Sequence, residues 1–420
     1  MKITKIHIEN YKSFKSETIE LDKLNILVGA NASGKSNTIS IFRFINHIID
    51  YGIENAVSLA GGLEYLLNAS IGKSKPFHLS FSYDCIDKNW IRSVNKKENK
   101  YLILSGFDYS FEIEAHKRGT GFRITKDTIT QKFFQVTHMS KDTIEYDVDK
   151  RCLVEYKKSK RKINTSVENT TDFDDSDKLN DVVGRDFVSH FLDNARCVDE
   201  LLLHYISIFM PPMFYFKDLI NIYDFDPKMM KRSASLTSVS KLDEDGSNIA
   251  NILQSLLKNR AERTKLINLL NDCLPFIKSI TTESNFDKSV SYKIQETYSN
   301  KHLYANFLSD GTVSMIAIII ALYFEDTMGT VILEEPERNL HPSLMDRVIE
   351  MAREASKDKQ ILITTHTPEL IKHADSDSIL LASRCDNGYT CIEKPIDKEA
   401  VRIFLENEIG IETLFAQNLL

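Results

Sequence analysis

The chain has 420 residues, 42% of them hydrophobic and 27% charged; these ordinary globular proportions exclude a mostly disordered chain, a collagen-like repeat and a disulfide scaffold. Its 53 Lys and Arg against 60 Asp and Glu leave a formal net charge of −7, which excludes a generally basic protein that coats nucleic acid but leaves room for a local basic patch. The length alone suggests two to three domains.

In chain order, Ile6, Ile8 and Tyr11 open a period-2 pattern, and Thr18 to Leu21 and Leu24 to Val28 predict two further short strands. The start, Met1-Lys2-Ile3-Thr4-Lys5-Ile6, enters this alternation with no apolar stretch or small-residue cleavage site, so no export signal is expected and the reading is cytoplasmic. A Gly-containing loop follows. From Ser36 onward Ile41, Phe44, Ile45 and Ile48 recur at helical spacing, so strand, loop and helix succeed one another directly. Between Phe77 and Val167, alternating segments (Phe77 to Tyr83, Tyr101 to Leu104, Tyr109 to Ile113, Gly121 to Thr125, Cys152 to Tyr156) predict an antiparallel β lobe. It carries a basic run, Lys150-Arg151 and Lys157-Lys158-Ser159-Lys160-Arg161-Lys162. That run reads either as a phosphate-contacting patch for DNA or as a charged strand edge that blocks edge-to-edge pairing.

An acidic stretch from Asp172 to Asp186 marks a candidate boundary, followed by an expected helix from Val188 to Phe209 that ends at Pro211-Pro212. We expect a helical insertion over 170–216, between an N-terminal part of the fold at 1–169 and a C-terminal part at 217–420. Ile249 to Leu269 predicts another helix. From Tyr292 strands and helices alternate: a strand near His302 to Phe307, an apolar helix after Gly311, a strand at Thr330 to Leu333, a helix after Pro342 and a strand at Gln360 to Thr364. This alternation indicates a parallel α/β core. The apolar run Val313 to Phe324 falls short of the roughly 18 residues a bilayer span needs and reads as a buried core helix, so no membrane partner is expected. Cys85, Cys152, Cys197, Cys273, Cys385 and Cys391 show no C-x-x-C or zinc spacing and read as reduced cytosolic thiols.

Two motifs carry chemistry. Gly29-Ala30-Asn31-Ala32-Ser33-Gly34-Lys35-Ser36 fits G-x-x-x-x-G-K-[ST] between the strand and helix that this motif requires. Its backbone amides and helix start suit phosphate, Lys35 reaches the β and γ phosphates, and the Ser36 hydroxyl can ligate Mg²⁺. Val331-Ile332-Leu333-Glu334-Glu335 is an apolar strand ending in two carboxylates at the carboxyl edge of a parallel sheet. Strand alternation would send them to opposite sides, with Glu334 supporting Mg²⁺ and Glu335 aligning or deprotonating the attacking water.

Further fragments bring a family resemblance. Phe307-Leu308-Ser309-Asp310-Gly311-Thr312 resembles an ABC-type signature loop and lies 25 residues before Glu334, while His366 in Thr364-Thr365-His366-Thr367-Pro368 lies 31 residues beyond Glu335 and resembles a switch histidine. The opening Ile8-Glu9-Asn10-Tyr11-Lys12-Ser13-Phe14 and the tail Glu335-Pro336-Glu337-Arg338-Asn339-Leu340-His341-Pro342 are similar to the corresponding elements of ABC-type ATPase heads. The group is that of RecF, the structural maintenance of chromosomes (SMC) proteins and the overcoming lysogenization defect (OLD) ATPases, and the likeness covers roughly residues 1–90 and 290–420.

The resemblance implies an α/β ABC ATPase head with a central mixed or parallel sheet, an antiparallel β lobe and a helical insertion. It implies ATP and Mg²⁺ as ligands, nucleotide contacts from Lys12 and from Gly29 through Asn37, and catalytic roles for Glu335 and His366. Metal support would come from Ser36 and Glu334. Ser309, Asp310 and Gly311 would close in trans over the ATP of a second copy, making the protein at least a homodimer; Ser309 can equally serve as a helix N-cap. Two departures stand out: Glu334 replaces the usual Asp, and Asp310 stands where transporters have Gly. Only about 54 residues follow His366, and Phe404 to Leu420 resembles a run into a TOPRIM nuclease domain. This suggests the ATPase of a split OLD-type anti-phage system such as PARIS, with a TOPRIM or HNH nuclease as a separate effector. The alternatives are a RecF-like repair ATPase that clamps DNA and a scaffold that binds ATP without hydrolysing it. A transporter subunit is disfavoured by the 274 residues between Lys35 and Ser309.

Overall fold

The computed structural model describes residues 2–86, 91–95, 100–140, 143–159, 162–173, 200–209, 219–237, 241–325, 329–385 and 387–395. They fall into two compact units, the first from Met1–Asp22, Ser36–Leu219 and Ser383–Ile392, the second from Lys23–Lys35, Ile220–Ala382 and Glu393–Leu420.

The first unit is built on an eight-stranded antiparallel sheet. Its order is Phe14–Glu20, Lys2–Tyr11, Phe77–Asp84, Lys100–Ala115, Phe122–Met139, Ile144–Ser159 and Lys162–Asn169, with Ile91–Asn95 paired to Lys100–Ala115. Period-2 burial of Phe77, Leu79, Phe81 and Tyr83 fixes the inner face, and these side chains meet Phe107, Tyr109 and Phe111 of the neighbouring strand, as in the Phe81–Phe107 edge contact at 5.9 Å. The predicted β lobe is present, with longer strands than the sequence pattern suggests. The strand Phe122–Met139 runs through Lys126-Asp127, where alternation fails, because Asp127 is buried in an inward position. The predicted helix at Val188 to Phe209 lies mostly outside the described residues. Its described end is a 3-10 turn, Leu202–Tyr205, followed by a single α-turn, Ile206–Phe209.

The basic run is not one exposed patch. Lys158 is buried and its ammonium donates to the Glu200 carbonyl; Lys150 is paired with Asp172 at 2.5 Å. Lys160 and Arg161 lie outside the described residues, and Lys157 is exposed. The expectation of six reduced thiols is also corrected. A tight turn, with Cys385 donating to Tyr389 and Gly388 donating back to Cys385, brings Cys385 and Cys391 to a Cα–Cα distance of 6.1 Å, where they form a disulfide. Cys85, Cys152 and Cys273 are free and buried, and Cys197 lies outside the described residues.

The second unit carries the parallel sheet. Ile220–Tyr223, Thr330–Glu334, Gln360–Thr365, Leu24–Val28 and Ile379–Arg384 follow one another in that order, all parallel. The middle strands are buried along their whole length, as a sheet covered on both faces demands. The apolar run forms the helix Asp310–Tyr323, buried from Thr312 to Leu322, and no helix among the described residues is long and apolar enough to cross a membrane. The single helix expected at Ile249 to Leu269 is two, Ile249–Leu256 and Arg260–Cys273. Asn259 breaks it by turning its side chain onto the amides of Ala261 and Glu262, an N-cap that restarts the helix. A small antiparallel sheet, Ala234–Ser235, Ser289–Glu296, Ile277–Ser284 and His302–Tyr304, completes the unit.

Candidate functional site

In the second unit, the functional candidates cluster at the carboxyl ends of the parallel strands. The loop after Leu24–Val28 is anchored by the Gly29 amide, which donates to the Thr365 carbonyl at 3.3 Å, and by Ser33 N–H, which donates to Ala30 at 3.2 Å. Ala32 and Gly34 take φ of 63° and 118°, the left-handed values that let successive amides face one concavity. Gly29 cannot be replaced: a Cβ there would lie 2.4 Å from Ser33 Oγ and 2.5 Å from the Ala382 carbonyl. Lys35 is buried and its ammonium donates to the carbonyls of Gly29 at 2.6 Å and Ala30 at 3.1 Å. Burial lowers its pKa, opposed by the charges of Glu335 and Glu337.

The strand Thr330–Glu334 ends at Glu334, and Glu335 leaves it at φ 40°. The expected strand alternation of the two carboxylates therefore fails at Glu335, which is held in a left-handed conformation that L-residues adopt only at a cost of about 1–2 kcal/mol. Its amide donates to the carbonyl and hydroxyl of Thr364, at 3.0 and 3.2 Å. His366 Nδ1 lies 3.1 Å from Glu335 Oε1, and Arg338 donates to Oε2 at 3.1 Å while also pairing with Asp224 at 3.2 Å. Burial pushes the Glu335 carboxyl up, but Arg338 and His366 more than offset it and hold the group below the usual glutamate range.

Ser309 N-caps the helix Asp310–Tyr323, its Oγ accepting from the Thr312 amide at 3.1 Å. The Asp310 carboxylate is paired with Lys231. Gly311 sits where a Cβ would approach the Asn339 carbonyl to 2.8 Å, so the signature-like segment packs directly on the loop that follows the two carboxylates.

A family model described as an AAA ATPase domain matches residues 1–371. The chain belongs to this AAA ATPase family. It is similar to the Endonuclease GajA of Bacillus cereus strain VD045, 22% identical over 402 residues that cover 90% of this chain and 58% of that protein. It is also similar to the uncharacterized protein MJECL43 of Methanocaldococcus jannaschii, 26% identical over 176 residues, 36% of this chain and 45% of that protein. The chain thus spans about half the length of these curated relatives. Among solved structures, the SMC head bound to the C-winged helix domain of ScpA matches with a TM-score of 0.50 at 14% identity, covering 94% of this chain and 98% of that one, a likeness of fold. The motifs of this AAA ATPase resemble those of the RecF/SMC/OLD group, and the likeness in fold to an SMC head agrees with that resemblance.

Within the second unit the AAA ATPase brings together Gly29 through Lys35, Glu335 and His366, with Glu334 at the end of the adjoining strand. Lys12, Ser36 and Asn37 belong to the first unit. There Asn37 donates to Ser13 Oγ at 2.8 Å, and Lys12, at φ 43°, is held by its amide on Leu66 and its carbonyl on Asn68. Burial and the charge of Arg43 lower the Lys12 pKa. Ser36 presents an exposed side chain at the start of the helix Lys35–Tyr51. Sequence reasoning assigned no role to Arg338, Asp224 or Glu337. The signal for Glu337 and Arg338 is the charged tail of Glu-Glu-Pro-Glu-Arg, whereas Asp224 lies 114 residues from its partner Arg338 and has no such local signal.

Proposed function

We propose that this AAA ATPase binds ATP with Mg²⁺ at the phosphate loop, hydrolyses it at Glu335 and uses the cycle to gate a separate nuclease effector in cytoplasmic anti-phage defence. Glu335 is the observation that carries the hydrolytic part. Its carboxylate is held ionised and aimed by Arg338 and His366, beside a phosphate loop whose lysine feels its charge. A group so placed can take the proton of a water that attacks the γ-phosphorus as the bond to ADP breaks.

The residues fit the ligands. The loop packs too closely on Ser33 and the Ala382 carbonyl to admit a Cβ at Gly29, and its left-handed residues let successive amides face a phosphate. Ser36 and Glu334 offer hard oxygen donors that suit Mg²⁺. Among the described residues no three His, Cys, Asp or Glu side chains group to hold a metal by themselves, in keeping with an ion that keeps phosphate and water ligands. When bound, Mg²⁺ supplies charge neutralisation on the phosphates. Ser309 and the Gly311 amide would act on the ATP of a second copy, with His366 sensing the γ-phosphate. The effector reading draws support from the likeness to an endonuclease across 90% of this chain.

The test is phosphate release by the purified chain with ATP and Mg²⁺. Release should exceed that of Lys35→Ala and rise more steeply than linearly with protein concentration, since two copies complete the site. No release would overturn the hydrolytic reading, and a strictly linear rate the sandwich. A co-expressed TOPRIM or HNH nuclease chain should co-purify in one nucleotide state and not the other; no association in either removes the effector.

A further inference from the structure

Glu337 ends the Glu-Glu-Pro-Glu run, is only 5% exposed and is given no part in the reading above. Its Oε1 accepts from the Thr365 hydroxyl and, at 3.2 Å, from the Thr367 hydroxyl. These are the residues on either side of His366. Thr365 Oγ1 in turn accepts the Thr367 amide at 3.0 Å. A directed chain therefore runs from the Thr367 N–H through the Thr365 hydroxyl into the Glu337 carboxylate. Both hydroxyls donate into the same carboxyl oxygen, and Thr365 Oγ1 keeps its lone pair for the amide.

The preceding contacts complete a zipper. Glu335 N–H holds Thr364 through its carbonyl and hydroxyl, Glu335 Oε1 meets His366, and Glu337 holds Thr365 and Thr367. Each of the four residues from Thr364 to Thr367 is thus bonded to one of two glutamates two positions apart. The other Glu337 oxygen, Oε2, is buried with no hydrogen-bond partner among the described residues. Leaving that oxygen unpaired costs about 1–3 kcal/mol.

We infer that Glu337 is a positioning residue for ATP hydrolysis: it clamps the Thr365-His366-Thr367 turn so that the imidazole and the Glu335 carboxylate keep their mutual geometry. This rests on the proposed role of Glu335. The turn is a short connection after a buried strand, with His366 itself exposed. Without the clamp the described side-chain contacts on the turn reduce to that of Glu335 with His366, beside the backbone bonds from Gly29 to Thr365 and from Leu370 to Thr367, and misplacement by about 1 Å can cost about 10²-fold in rate.

The experiment compares wild type, Glu337→Ala, Glu337→Gln, the pair Thr365→Val with Thr367→Val, and the combination of that pair with Glu337→Ala, in the full chain. Affinity for a fluorescent ATP analogue and steady-state kcat are read in parallel. Glu337→Ala and the threonine pair should each lower kcat by about 10 to 10²-fold while affinity stays within about threefold. Their combination should be no worse than either alone, because all three groups act through one clamp. Glu337→Gln, which keeps one acceptor oxygen, should recover part of the loss. Multiplicative losses in the combination, affinity falling in step with kcat, or unchanged kcat in Glu337→Ala would each overturn the clamp. If Glu337→Ala does not fold, the threonine pair alone decides by the same split. Glu335→Gln separates the two readings: full turnover there with a loss in Glu337→Ala sinks the general-base role and leaves the clamp, whereas a dead Glu335→Gln beside a fully active Glu337→Ala sinks the clamp alone.

Discussion

Asp127 in the first unit and Glu337 in the second are both carboxyl groups shut away from water, and their surroundings differ in kind. Asp127 is fully buried with both oxygens used, Oδ1 accepting from the Tyr109 hydroxyl and Oδ2 from the Leu202 amide, each at 2.9 Å. It joins two strands of the lobe to the turn at Leu202 and meets no candidate site residue. Glu337 binds with one oxygen and leaves the other without a partner among the described residues, beside a strained Glu335 and a lysine whose pKa its charge raises. A closed, satisfied buried acid is what a fold requires. An open one, next to positive φ and paired ions, is where strain and charge are kept for chemistry.

The largest expected effect tests the open end of this comparison. Glu335→Gln should leave ATP affinity intact and reduce turnover by about 10² to 10⁴-fold, the range for loss of a general base; wild-type turnover in that variant would mean that the second unit's charge cluster is structural after all. Lys35→Ala comes next. Removing its ammonium from the phosphates should weaken ATP binding by about 10 to 10²-fold, the equivalent of one charge-assisted hydrogen bond, and unchanged affinity by calorimetry would mean that the loop does not bind phosphate. The split between the two variants sharpens the picture, because one acts on binding and the other on turnover.

What the sequence made legible follows the same division. The phosphate loop and the Glu334-Glu335 pair could be read because each motif is contiguous, so spacing alone placed them at strand ends. Glu337 was passed over because its burial and its hold on Thr365 and Thr367, 28 and 30 residues on, exist only once parallel strands pair. The φ of 40° at Glu335 was likewise invisible, since strand alternation was carried one residue too far. In the lobe the pattern gave the antiparallel class but cut the strand Phe122–Met139 short, because a buried Asp127 mimics an outward position. Lys158 misleads for the same reason: a basic residue in a basic run reads as solvent-facing, whereas its ammonium bonds the Glu200 carbonyl.

The smallest expected effect probes the closed acid. Burial raises the Asp127 carboxyl from its ordinary value to about 7, with the Leu202 amide, Tyr109 and Lys158 opposing. Folding therefore favours the protonated form. Between about pH 4 and pH 7 the folded chain keeps a proton that the unfolded chain has lost, so this contribution to stability is full below the unfolded pKa and disappears as pH rises through about 7. Asp127→Asn imitates the protonated acid in carrying no charge at any pH, and its carbonyl oxygen can still accept from the Leu202 amide or the Tyr109 hydroxyl. At pH 5 the two proteins should differ in unfolding free energy by no more than about 1 kcal/mol, the net worth of one neutral hydrogen bond. As pH rises the wild type should lose ground by at most about 1.4 kcal/mol per pH unit until near pH 7, with ATP affinity and turnover unchanged in both. A stability difference that is flat in pH would show that Asp127 is ionised in the fold. A change in turnover would show that the lobe's acid is not closed, and the distinction between the two carboxyls would fall.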